Sequence, residues 1–303
     1  MNRRRRWLIG GAAGVVVIAA GVWIWQSASR APSAEEAAAG YLQALESGDP
    51  DAVEATGIAV SPTALEAFAV ATALIEDAEV TAIRGVDGAE GHDPTAEISF
   101  RLDDEPHTAE LSLERIDGRW VVDASGLGTM TATATIGSSV SIGEARIPVA
   151  ERTPLLPAAY ALTAAPVTLL DGEGSLVVLP GEDSALTLET SLRPEATSAA
   201  QKHLDEHLTT CTAGLATPPE GCGIRIPWGT EFREVSEIRY RVEQLPTIAL
   251  ASTGFRADGG VLVATVTGTG QDGSARTTTY RTESWAVRGD VSFTAEDVVL
   301  SVW

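Results

Sequence analysis

The chain has 303 residues, with 21 Lys and Arg against 42 Asp and Glu, a formal net charge of −21 and a mean hydropathy of +0.07. All 42 acidic residues and 17 of the 21 basic ones lie beyond Gln26, so that portion carries −25. It repels phosphate backbones and anionic headgroups, which excludes nucleic acid as a partner; the plainest role of such charge is solubility.

Arg3, Arg4, Arg5 and Arg6 stand directly before an uncharged apolar run from Trp7 to Trp25. These 19 residues, at a helical rise of about 1.5 Å each, match a hydrocarbon core of about 30 Å. The run reads as a transmembrane helix through a lipid bilayer, residues 7–25. The arginines hold its start in the cytoplasm, and the rest is extracytoplasmic. A cleaved signal peptide is the rival reading, with small residues at Ser27 and Ser29. Against it, the run is longer than a signal h-region and lacks an A-x-A site.

Beyond the run, Ser33 and Glu36 form a capping box before Ala38, Tyr41, Leu42 and Leu45, which recur at helical spacing until Gly48. Asp49-Pro50 starts a short helical turn. Ser61-Pro62 starts a second helix, to about Ile75, with Leu65, Phe68 and Ala69 as its buried stripe. From Glu79 the period is two. Ala96, Ile98, Phe100 and Leu102 alternate with polar neighbours, as do Ala109, Leu111 and Leu113, and Asp117-Gly118 is a two-residue hairpin signal.

Helices followed by an antiparallel sheet predict an α+β domain over 33–126. Its stretches "AAAGYLQALESGDPDAV" and "LSLERIDGRWVVD" resemble the cone-shaped nuclear-transport-factor-two-like domains of bacterial envelope proteins. The resemblance covers about 34–125 and implies a cone-like fold found in both enzymes and inert spacers. Enzymes of that family use carboxylates or histidines lining the cone. Here His92 and Asp93 fall in a loop beside Gly91 and Pro94, and His107 follows Pro106 at a turn, so all three read as exposed.

Residues 129–192 are Thr- and Val-rich without helical period and read as a small β-sandwich module. "IPVAERTPLLPAAYALTAAPVTLL" resembles the Leu-Pro-Gly-x-Tyr turns of small bacterial surface sandwiches, with Ala158 in place of the glycine. Asp171-Gly172 and Pro180-Gly181 mark further turns. Residues 193–303 read as a C-terminal β domain opened by one helix, from Arg193-Pro194-Glu195 to about Thr210. Ala200, Leu204, Leu208 and Cys211 line one side of that helix. Ile238, Tyr240 and Val242 then alternate, as do Val291 and Phe293. The helix, "PEGC" and the long strands resemble the C-terminal part of actinobacterial single-span membrane-anchored proteins, a likeness that brings no activity with it.

Gly268, Gly270 and Gly273 spell G-x-G-x-x-G, but a strand pattern follows where a dinucleotide fold needs a helix, so a Gly-rich hairpin is expected and no cofactor. No G-x-S-x-G elbow occurs, no His follows Thr212, and no catalytic residue is assigned. Asp87, Glu90 and Asp93 lack the order of a calcium loop, and Asp103, Asp104 and Glu105 read as a solvated hairpin tip. His203, His207, Cys211 and Cys222 have the donor set of a zinc site, with His207 and Cys211 on the apolar side of the helix. In an exported domain, however, two cysteines 11 positions apart are expected to form a disulfide. The expectation is a non-catalytic envelope protein that contacts another envelope component. A small-ligand-binding protein is the alternative, and an enzyme using the cone-like domain the second alternative.

Overall fold

The computed structural model describes residues 32–85, 93–213, 221–224 and 231–303. Arg3 to Arg6, the apolar run 7–25, Asp87, Glu90 and His92 lie outside them. Within them the chain is mostly β-sheet with few helices, and no helix is long and apolar enough to cross a membrane. It divides into two compact units, the first made of residues up to Ala59 with Leu74–Leu127, the second of Val60–Ala73 with Gly128–Trp303.

In the first unit, helix α1 (Ala34–Ser47) opens on the expected capping box. The Ser33 hydroxyl accepts from the Glu36 amide at 3.2 Å, and Glu36 accepts from the Ser33 amide at 2.7 Å. These bonds satisfy two amides that the first helical turn would otherwise leave orphaned. The helix ends at Gly48, and α2 (Pro50–Ala55) follows with Asp49 as its cap. Ala38, Tyr41, Leu42 and Leu45 bury one face of α1, as their spacing requires.

That face packs on a four-stranded antiparallel meander, β1 (Glu76–Arg84), β2 (Thr95–Leu102), β3 (Glu105–Ile116) and β4 (Arg119–Val122), paired in that order. Ala96, Ile98, Phe100 and Leu102 turn inward from β2, and Leu111 and Leu113 from β3. The β2–β3 and β3–β4 hairpins are tight. Asp103 and Asp104 have φ of 55° and 64°, and Asp117 and Gly118 have 50° and 81°, the left-handed pairs that match the twist of the flanking strands. The Tyr41 hydroxyl, buried with its ring, donates to the Gly126 carbonyl at 2.6 Å and so closes the core with its one polar atom satisfied.

The second helix expected in this domain is shorter and belongs elsewhere. Helix α3 (Pro62–Phe68) is capped by Ser61 as foreseen, but it ends at Phe68 and leaves Ala69 exposed, burying Ala64, Ala67 and Phe68 instead. It packs on β7 (Ala145–Pro148) and β8 (Arg152–Leu155) of the second unit. Backbone bonds fix this choice. The Thr72 amide donates to the Ala159 carbonyl at 2.8 Å, and the Ala159 amide to Ala73 at 2.9 Å.

Among its described residues the second unit holds three small sheets and one large one. The first, in the order β11 (Glu173–Val178), β9 (Ala158–Ala165), β6 (Ser139–Ile142), β7, is antiparallel throughout. The second is β12 (Asp183–Leu188), β5 (Gly128–Ala134), β8, where β12 and β5 run parallel. The short strands β10 (Leu170–Asp171) and β13 (Ser191–Leu192) pair separately. The Leu-Pro-x-x-Tyr stretch has a mechanical role: buried Tyr160 donates to the Leu156 carbonyl four residues back at 2.6 Å, locking the turn before β9. Burial pushes its phenol up, so the hydroxyl remains a donor.

Helix α4 (Pro194–Thr212) and strands β14 (Phe232–Gln244), β15 (Thr247–Leu250), β16 (Gly254–Gly270), β17 (Ala275–Arg281), β18 (Trp285–Phe293) and β19 (Val298–Val302) complete it. β16 is long enough to serve two sheet halves. Its first part pairs with β15 and β18, and its last part with β14 and β17, with a register shift between Ala257 and Gly260. In β18 the alternation is perfect, with Trp285, Val287, Gly289, Val291 and Phe293 inward.

The three glycines of G-x-G-x-x-G end β16 and turn into β17, as a hairpin and not a phosphate loop. A Cβ on Gly268 would lie 2.1 Å from the Glu234 carbonyl oxygen, so glycine is required for β14 to approach.

The boundary expected near residue 192 does not separate two compact units. Ala164, Leu169 and Leu170 share one buried cluster with α4 and the large sheet. The Arg193 amide donates to the Leu169 carbonyl at 2.9 Å, and the Ser138 hydroxyl to Phe293 at 2.8 Å. The buried stripe of α4 is covered from both sides of that boundary.

Candidate functional site

Helix α4 positions the chemically richest cluster of the chain. Ala196, Ala200, Leu204, Leu208 and Cys211 form its buried stripe, set by the 3.6-residue period, against Ile248, Phe255, Leu262, Trp285 and Val287. At its start the Arg193 guanidinium donates to the Leu170 carbonyl at 2.9 Å and pairs with Asp171. Midway, Gln201 substitutes for a strand: it accepts from the Ile248 amide at 2.8 Å and donates to the Pro246 carbonyl at 3.0 Å.

At its end Cys211 is joined to Cys222 in a disulfide, with Cα atoms 5.8 Å apart and both residues 3% exposed. The short segment Gly221 to Ile224 is thereby held at the sheet, where the Trp285 indole donates to the Gly223 carbonyl at 3.3 Å.

The two histidines part company. His207 comes to the disulfide, with Nε2 3.6 Å from the Cys211 sulfur and 2.9 Å from the Gly221 carbonyl. His207, Cys211 and Cys222 place one ligand atom each within 4.8 Å of one another. His203 instead faces Asp297, Nε2 to Oδ2 at 3.2 Å, so the four-residue donor set is not assembled. Nor is His207 a packing residue: it is exposed, on the edge of the apolar arc rather than within it. Among the described residues both thiols are consumed by the disulfide.

In the first unit, His107 lies within β3, not in a turn, and stacks on its cross-strand partner Phe100 with ring centroids 5.6 Å apart. Its role is packing. Asp93 is exposed, and Asp103 and Asp104 sit at the solvated hairpin tip as expected. The interior of this unit is filled by Tyr41, Ile98, Phe100, Leu111 and Leu113.

Sequence reasoning missed an open groove of about 550 Å³ on the outside of the same unit. Ala37 and Gly40 of α1, Ala52, and Ile116 and Trp120 of the β3–β4 hairpin line it. Arg115 lies over the Trp120 ring at 5.1 Å, and Ile116 is 44% exposed. The available signal was the pair of large apolar residues flanking a solvated Asp-Gly turn, where hairpin tips are ordinarily polar.

No protein-family model, curated protein or solved structure matches the chain.

Closing the 11-residue separation between the cysteines should stabilise by about 2–3 kcal/mol through loop entropy. Thermal unfolding should therefore move to lower temperature on adding a reductant, and equally in Cys211→Ser/Cys222→Ser, with no further drop when that variant is reduced. Alkylation of both thiols in native protein without reductant would show the bond to be absent.

Proposed function

We propose that this chain is an anchored extracytoplasmic envelope protein of non-catalytic type, held by residues 7–25 and presenting its two units to another envelope component. The observation that carries the reading is the run of four arginines before a 19-residue uncharged apolar stretch, which is long enough to span and oriented with the arginines inside. The disulfide supports it, because such bonds persist in oxidising compartments. The charge of −25 beyond Gln26 keeps the exported part soluble beside a surface of the same sign. The helix-then-sheet order of the first unit agrees with a nuclear-transport-factor-two-like spacer, and its interior is packed with side chains.

Protease added to intact spheroplasts should degrade the region beyond Gln26 and leave an N-terminal tag protected. A protected C-terminal tag would overturn both the topology and the oxidising-compartment argument.

A second reading, small-ligand binding, is favoured by the groove. Its volume falls in the ordinary range for ligand sites, and its walls combine small apolar residues and Trp120 with the polar groups of Glu36, Thr56, Asp117 and Arg119. Gly40 faces it from the middle of α1, where a Cβ would meet nothing within 4 Å. Glycine inside a helix costs about 0.5–1 kcal/mol relative to alanine, so an unobstructed glycine there is a cost that local packing does not explain. Gly40→Leu sets its Cβ in open space and directs the larger side chain at the groove. Thermal shifts of the exported part against a panel of small amphipathic ligands should show a stabilising compound whose effect Gly40→Leu removes. Equal shifts in both proteins, or none, would reject this reading.

A further inference from the structure

We infer that His207, Cys211 and Cys222 form a zinc site in the reduced protein, so that one cluster alternates between a disulfide clasp and a three-ligand metal centre. Tetrahedral zinc with Zn–S of about 2.3 Å and Zn–N of about 2.0–2.1 Å sets an N···S edge of about 3.6 Å and an S···S edge of about 3.8 Å. His207 Nε2 already stands 3.6 Å from the Cys211 sulfur, and the three donor atoms lie within 4.8 Å of one another. Once the sulfur–sulfur bond opens, non-bonded thiols separate to about the remaining edge.

Burial adds a driving force. Both cysteines are 3% exposed, and thiolates formed there lack water and favour a cation between them. His207 is exposed, which gives the ion a path in and leaves a fourth position open to water.

A dithiol reductant gives two electrons and two protons to the Cys211–Cys222 bond and itself becomes a disulfide, leaving two thiols. Zn²⁺ then displaces one proton from each thiol. At His207 the single ring proton now donated from Nε2 toward the Gly221 carbonyl moves to Nδ1 by exchange with solvent, which frees the Nε2 lone pair for the metal. His203 takes no part, being engaged with Asp297. The site depends on this cluster alone and stands whether or not the chain is anchored in a membrane.

Full-length protein in detergent, reduced anaerobically and freed of reductant, should bind one Co²⁺ per chain. The expected signature is a sulfur-to-cobalt charge-transfer band with tetrahedral ligand-field absorption, both lost when Zn²⁺ is added. The oxidised protein should give neither band. In the reduced state His207→Ala should weaken zinc binding by at least about tenfold, as loss of a direct ligand costs no less than loss of a supporting partner. His203→Ala should leave it unchanged.

Absence of the charge-transfer band, or equal affinity in His207→Ala, would overturn the inference. So would a reduced protein that has lost its native circular dichroism and is not returned to it by one equivalent of Zn²⁺.

Discussion

The second unit depends on the seating of one helix. Helix α4 offers a stripe one residue wide, Ala196, Ala200, Leu204 and Leu208, whose members are all 0% exposed. The small residues come first, where the Arg193 amide donates to the Leu169 carbonyl, and the large ones last; the whole stripe shares one buried cluster with Trp285 and Val287. Truncating a leucine in such a seat typically costs about 2–5 kcal/mol, the transfer term plus the cavity left behind. The polar contacts set position rather than supply the main energy. Arg193 fixes the helix start, Gln201 ties its middle to β15, and the disulfide fixes its end. The His207 cluster exists only because this seating brings the last turn of the helix to the segment carrying Cys222.

The first unit is organised by α1 on its meander. Tyr41 carries the packing and also a buried side-chain hydrogen bond to Gly126 that ends the core. The groove lies on the other side of α1, where Ala37 and Gly40 keep the helix surface low and Trp120 stands against it. Core and groove are thus separate features of the same helix, which is why a filled interior and an open outer groove coexist.

Local signals were legible in the sequence, and partner choices were not. The Ser33–Glu36 box, the Asp49-Pro50 and Ser61-Pro62 starts, the alternation of Ala96 to Leu102, the Asp117-Gly118 turn and the Gly-rich hairpin all lie within a few residues of the structure they specify. Cys211 and Cys222 were paired from spacing and compartment alone. Residues 60–73 were misassigned because a capped helix start says that a helix forms, not which sheet receives it; that is decided by Thr72 and Ala73 pairing with Ala159, 87 positions from Thr72. The parallel pairing of β5 with β12 left no periodic mark either. His207 was placed with the core because its angle lies within 40° of Cys211 at 100° per residue. The apolar arc ends between them, and only the packed sheet shows where. The groove escaped notice since it is made by small residues on α1 and α2 meeting a distant hairpin.

On this account the envelope role we propose asks little chemistry of the fold and much rigidity, supplied in the second unit by α4 and its sheet forming one cooperative body. Native-state amide hydrogen exchange tests that claim most directly. The amides of Leu204 and Leu208 in α4 should open with the same free energy as those of Leu262 in β16 and Val287 in β18, all at the global limit. Exchange of the α4 amides through a distinctly cheaper opening, with β16 and β18 still protected, would contradict it.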